Sequence, residues 1–124
     1  MLRDYDAVAT IAAKDIQKTA RFYQDVLGFK TVSQAMGTQQ LQSGSTKILI
    51  YPSQFAGTNK ATAITWTVDD VEQIVGDLKA KGATFEHYDN LPQVTRRGDI
   101  HIAGDLKNAW LKDPDGNILS IVGK

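Results

Sequence analysis

Thr10-Ile11-Ala12-Ala13-Lys14-Asp15-Ile16 is a short, mostly apolar run that reaches an aspartate and opens onto a helical pattern. Fifty-five residues later Thr65-Trp66-Thr67-Val68-Asp69-Asp70-Val71 does the same. Self-similarity at a fixed offset says more about architecture than any single motif in a chain of 124 residues. The chain reads as two copies of one small unit. A side chain placed usefully in one copy therefore has a pseudo-symmetry mate in the other.

In the first copy, Ala7 to Ala13 suits a buried strand, and Asp15 reads as a helix N-cap. Ile16, Ala20, Tyr23 and Leu27 then recur three or four residues apart, up to Gly28, a natural residue just past a helix end. Three strand-length pieces follow: Phe29 to Gln34, Thr38 to Gln42 and Thr46 to Tyr51. Met36-Gly37 and Ser43-Gly44-Ser45 are hairpin connections between them. The unit is β-α-β-β-β over about residues 5–52, with an aperiodic connector at 53–61.

The second copy, about residues 62–124, repeats the plan. It has a strand from Thr62 to Val68, a cap at Asp69 or Asp70, and a helix with the stripe Val71, Ile74, Val75 and Leu78 that ends at Gly82. Phe85 to Tyr88 is a strand candidate, and Asn90 to Gly98 reads as a long loop of the kind that carries function. Ile100 to Ala103 and Ala109 to Lys112 read as the next strand, interrupted around Gly104-Asp105. Asp113-Pro114-Asp115-Gly116-Asn117 is a strong turn signature before the last strand, Ile118 to Val122.

Composition narrows the function. Fourteen basic and fourteen acidic residues cancel, and the longest basic run is Arg96-Arg97, which gives no electrostatic footprint for nucleic acid or an anionic membrane. No apolar stretch approaches the roughly 20 residues of a membrane span, so the expected location is the cytoplasm. Without cysteine there are no disulfides, thiolate metal sites or cysteine nucleophiles. Only His87 and His101 supply imidazole.

Ala20-Arg21-Phe22-Tyr23, Val26-Leu27-Gly28-Phe29 and Asp113-Pro114-Asp115-Gly116-Asn117, at these separations, resemble the vicinal oxygen chelate superfamily of glyoxalase I, bleomycin-resistance proteins and extradiol dioxygenases. The resemblance covers nearly the whole chain. It implies an α+β fold in which two tandem β-α-β-β-β modules curl their mixed sheets around a cleft, usually in a homodimer. In the metal enzymes of that family, four inward-facing His or Glu side chains, on the first and fourth strands of each module, hold a divalent ion. Those positions fall here on Val8, Leu49, Ala63 and Ser120. A divalent catalytic site takes at least three ligands from His, Asp, Glu or Cys. The expectation is therefore the family fold without a metal or other cofactor.

Period-two alternation assigns the remaining faces. With Val8, Leu49, Ala63 and Ser120 turned to the cleft, Thr10, Ala12, Lys47, Tyr51, Thr65, Thr67, Ile118 and Val122 face it too. Ile11, Ile48, Ile50, Ile64, Trp66, Leu119 and Ile121 then face the helices, and their uniform apolarity makes the assignment self-consistent. The cleft face mixes hydroxyls, a phenol, an amine and small apolar patches, a surface for a modest organic molecule. Trp110 adds either a stacking surface or a core or dimer-interface aromatic. His101, in Asp99-Ile100-His101-Ile102, is the best acid–base candidate, with a structural or solvated histidine as its alternative.

Two functions follow. One is a metal-free protein that binds a small organic molecule to sequester or carry it. The other is a glyoxalase- or dioxygenase-like lyase, isomerase or oxygenase that uses a relocated metal site or His101. No nucleic acid or membrane partner is expected.

Overall fold

The computed structural model describes every residue except Met36. The hairpin connection expected at Met36-Gly37 thus lies partly outside the described residues. The first module comprises β1 (Ala9–Ala13), α1 (Ile16–Arg21), β2 (Lys30–Ala35), β3 (Thr38–Ser43) and β4 (Thr46–Pro52). The second comprises β5 (Thr62–Thr67), α2 (Val71–Ala80), β6 (Phe85–Glu86), β7 (Thr95–Arg97), β8 (Ile100–Ala103), β9 (Leu106–Lys112) and β10 (Ile118–Gly123). No helix among the described residues is long and apolar enough to cross a membrane.

The internal repeat is visible in the pairing. β1 lies parallel to β4 in a sheet ordered β1-β4-β3-β2, and β5 lies parallel to β10 in a sheet ordered β5-β10-β9-β8-β7. Both helices start on the same device. The Asp15 carboxylate accepts from the Lys18 backbone N–H at 3.2 Å and the Asp70 carboxylate from the Gln73 N–H at 3.1 Å, satisfying donors that a helix start leaves orphaned. Asp70, not Asp69, is the cap of α2.

Alternation along the strands holds as well. Ile11, Ile48, Ile50, Leu119 and Ile121 are buried on the helix side, and Ile64 and Trp66 are half-buried there. These residues join Tyr23, Phe29, Leu41, Val71, Val75 and Leu111 in one apolar cluster that spans both modules. Phe29 packs against Trp66 across the module boundary with ring centroids 5.9 Å apart, and the Trp66 indole N–H donates to Ser43 Oγ at 2.9 Å. The modules therefore meet through their helix sides.

Three sequence readings change. Helix one is α-helical only to Arg21 and continues as a π-helical turn, Phe22–Val26, where Tyr23 is drawn inward. Ile100–Ala103 and the segment ending at Lys112 are not one interrupted strand. They are the antiparallel pair β8 and β9, joined at Gly104-Asp105, with Gly104 at φ +63°. The long loop holds a strand of its own, β7, which pairs with β8. Arg96 explains that order: its guanidinium donates to both Asp89 carboxylate oxygens, at 2.7 and 3.2 Å, and to the Gly98 carbonyl at 2.7 Å. One side chain folds the loop onto itself.

The Asp113–Asn117 turn does more than reverse the chain. The Asp113 carboxylate is buried and accepts from the backbone N–H groups of Asp115 and Asn117, from the Asn117 side-chain amide at 2.8 Å and from the Tyr23 hydroxyl at 2.8 Å. Asp115 accepts from the Lys14 N–H and the Thr19 hydroxyl, and Asn117 also donates to the Ala12 carbonyl. Gly57 of the connector packs so close that a Cβ there would stand 1.7 Å from the Asp115 carbonyl oxygen. A turn of module two thus holds the end of β1, the first helix and the connector.

Candidate functional site

The faces of the two sheets that turn away from the helices carry the candidate residues. In module one, Thr10 pairs with Leu49, and in module two Thr65 pairs with Ser120, which in turn pairs with Trp110. These are pseudo-symmetry mates, as the repeat implies. Val8 lies just before β1 and is 40 % exposed. Thr10, Lys47, Tyr51, Ala63, Thr65 and Thr67 are exposed, and Leu49 is half-buried. A sheet face that a single chain leaves open is the opposite of the helix-side face, where the corresponding residues are closed over.

Ser120 departs from this pattern, since it is buried, and the reason lies in its neighbours. Its hydroxyl donates to the Asn108 side-chain carbonyl at 2.8 Å. Trp110 stands across the strand pair beside it. At the other positions that the resemblance assigns to metal ligands, Val8, Leu49 and Ala63 present hydrocarbon only. This donor set does not fit a divalent ion, and no group of three His, Cys, Asp or Glu among the described residues is placed to hold one elsewhere.

His101 lies on the same face of module two, opposite Asn108 on β9 and Arg96 on β7, and is 2 % exposed. The Tyr88 backbone N–H donates to its Nε2 at 2.9 Å, which places the ring proton on Nδ1, 3.3 Å from the Asn108 carbonyl oxygen. Both nitrogens are engaged by backbone, and the ring is neutral. Burial holds its pKa below the ordinary histidine value, outweighing the opposite pull of the Asn108 carbonyl. An acid–base role would require the ring to surrender one of these bonds.

Asp99, the carboxylate beside His101 in sequence, bonds instead to His87 Nε2 and Lys79 Nζ, each at 2.7 Å. Those two partners hold its pKa low. They tie the β7–β8 turn to the end of α2.

Tyr88, His101 and Trp110 form an edge-to-face cluster, with centroids 4.8 Å apart for His101–Trp110 and 5.2 Å for Tyr88–Trp110. At Trp110 opens a cavity of about 400 Å³, lined also by Lys60, Thr62, Tyr88, Leu91, Lys112 and Ile118. It draws on module two and the connector. Of the residues turned to the cleft or singled out from sequence, it contains Trp110 and Ile118. A second cavity, of about 200 Å³, lies on the helix side among Leu27, Phe29, Trp66 and Leu78.

Asn108, Tyr88, Lys60 and Lys112 were not singled out from sequence. Asn108 had a signal: Gly-Asp between two strand-length runs marks a two-residue hairpin, and period two then sets Asn108 on the face of His101. Lys60 had none, because a connector residue reaches this wall only through the tertiary path of the chain.

Comparison with known proteins agrees with this architecture. A family model described as glyoxalase/bleomycin resistance protein/dioxygenase superfamily matches residues 6–121. The virulence protein STM3117 of Salmonella typhimurium is 26% identical over 119 residues, covering 90% of this chain and 78% of that protein. Among solved structures, the fosfomycin resistance protein FosX from Listeria monocytogenes superimposes with a TM-score of 0.73 at 15% identity, covering 97% of this chain and 93% of its own. A glyoxalase family protein from Enterococcus faecalis gives 0.73 at 21%, covering 98% and 99%. Lactoylglutathione lyase from Agrobacterium tumefaciens gives 0.69 at 18%, covering 96% and 92%. The chain belongs to the glyoxalase/bleomycin resistance protein/dioxygenase superfamily.

Proposed function

We propose that the protein binds a small organic molecule without a metal at the family position, sequestering or carrying it, and that a second copy of the chain completes the cleft. The carrying observation is the open sheet face. Hydroxyls of Thr10, Thr65 and Thr67, the Tyr51 phenol and the Lys47 amine stand exposed beside Val8, Leu49 and Ala63, where the metal enzymes of the family would place ligands. Such a surface recognises by shape and hydrogen bonds, and the side chains of Val8, Leu49 and Ala63 offer no ligand to a divalent ion. The structural neighbours include a resistance protein and a lyase, so the fold does not choose between binding and turnover, and the residues at the site must.

His101 then has a positioning role. Fixed by two backbone groups, it supports Trp110 and Tyr88 from beneath. Asn108 holds Ser120 in the same way.

Native mass spectrometry of gently purified protein tests the reading in one spectrum. The expected species is twice the 13.6 kDa chain mass, free of divalent metal and carrying an organic adduct. A stoichiometric divalent ion retained by each chain would sink the metal-free reading. A monomer with a fully occupied cleft would sink the second-copy part.

A further inference from the structure

We propose that the module-two end of the cleft selects a planar organic anion, an aromatic or conjugated carboxylate, with its ring on Trp110 and its charge between Lys60 and Lys112. This rests on the binding function proposed above and names the ligand class of that site.

The wall is built before any ligand arrives. Trp110 leans edge-to-face on His101 and Tyr88. His101 is held by the Tyr88 N–H and the Asn108 carbonyl. The segment that delivers Tyr88 and Leu91 is pinned by the Arg96–Asp89 pair, whose two hydrogen bonds hold the Asp89 carboxyl below the usual carboxylate range. A fixed aromatic platform favours a flat partner, since little side-chain freedom remains to be lost on binding.

Charge decides the rest. Two ammonium groups and no carboxylate line this cavity. Lys60 makes no ion pair among the described residues, and Lys112 stands 3.6 Å from Glu86, whose carboxylate lies outside the lining. The Trp110 indole N–H and the Thr62 hydroxyl have no hydrogen-bond partner among the described residues, which leaves both as donors to an incoming oxygen. A cation would meet two like charges in the same space. A neutral ring would gain the platform and leave Lys60 unanswered, Lys112 keeping only its 3.6 Å contact with Glu86. A carboxylate on a flat body satisfies both, and the roughly 400 Å³ volume falls in the range of small-molecule sites.

The probe is 2-naphthoate, with 2-naphthamide as its neutral counterpart of the same shape, titrated by isothermal calorimetry into the full chain. The expected result is one saturable naphthoate site per chain, with the amide at least about tenfold weaker. Lys60→Met and Lys112→Met should each weaken naphthoate about three- to tenfold while leaving the amide unchanged, and added salt should weaken the acid alone. Trp110→Phe should weaken both probes. Lys60 is exposed, so its variant folds even if that of Trp110 does not. Equal affinity for acid and amide, or naphthoate binding indifferent to both lysine variants, would overturn the proposal. Neither result touches the binding function itself, which fails on a retained stoichiometric metal in the native spectrum.

Discussion

Gly57 is where one atom would cost the most. Its backbone sits at φ +75°, and an added Cβ would lie 1.7 Å from the Asp115 carbonyl oxygen and 2.8 Å from the carbonyl carbon. Both atoms are backbone and cannot rotate aside. Gly57→Ala should lower unfolding stability by about 3 kcal/mol or more, because the clash adds to left-handed strain. Gly44, at φ +57° with nothing within 4 Å of where a Cβ would stand, supplies the control. Gly44→Ala should cost about 1 to 2 kcal/mol from backbone strain alone. Urea denaturation of the two variants measures the difference, and equal midpoints would show that the connector yields.

His101 makes a second residue-scale prediction. Its pKa in the folded protein is below the ordinary value of 6.5, so as pH falls through that value the unfolded chain takes up a proton that the folded ring refuses. The unfolded state then binds more protons, and stability declines as pH drops, until the folded ring also protonates. Between pH 7.5 and 5.5 the melting temperature should fall. His101→Gln should start lower but show a flatter slope in that window. Asp89 and Asp99, whose pKa values are pushed down by Arg96 and by Lys79 with His87, act only in more acidic solution. Their contribution is present above the ordinary carboxylate value and is lost as pH falls through the folded one. A slope unchanged by the His101 substitution would refute the assignment.

At the scale of elements, sequence was most legible where one local rule acted alone. Asp15 and Asp70 cap their helices because a carboxylate three residues before an orphan N–H needs nothing from the rest of the fold. Ile11, Ile48, Ile50, Leu119 and Ile121 revealed the helix-side face because their alternation answers to a single sheet surface. The π-helical turn at Phe22–Val26 was not legible, since a stripe spaced by three and four also fits an ordinary helix. Nor was the burial of Ser120, which depends on Asn108 and Trp110 arriving from β9. The Asp113–Asn117 turn is legible as a turn, whereas its reach is not. Its carboxylate meets Tyr23 across 90 residues. Burial, with Asp113 alongside, pushes the Tyr23 phenol well above its usual pKa and keeps it a donor throughout the accessible pH range. Tyr23→Phe removes one donor from a buried carboxylate that keeps three others, and should cost about 1 to 3 kcal/mol in urea denaturation. A neutral effect would mean that water takes the vacated place.

At the scale of the molecule, two copies of one plan are joined unequally. Their helix sides share a core, closed by Phe29 on Trp66, and their other faces stay open. The fold was legible from the repeat and the turn motif together, whereas the wall around Trp110 was not, because it is assembled from the connector, the loop after β6 and the hairpin of β8 and β9. The repeat is broken most clearly at its turns. Module one links β3 to β4 through two residues, Gly44 and Ser45, whereas module two links β9 to β10 through the segment that grips Tyr23, Thr19 and Lys14. That difference sets an order of events during synthesis. The ribosome delivers Tyr23 ninety residues ahead of the carboxylate that receives its hydroxyl, at a pace of about 5 to 20 residues per second. For those seconds the first helix has only its own module to lean on, and the half of the protein that is made first waits for the half that is made last.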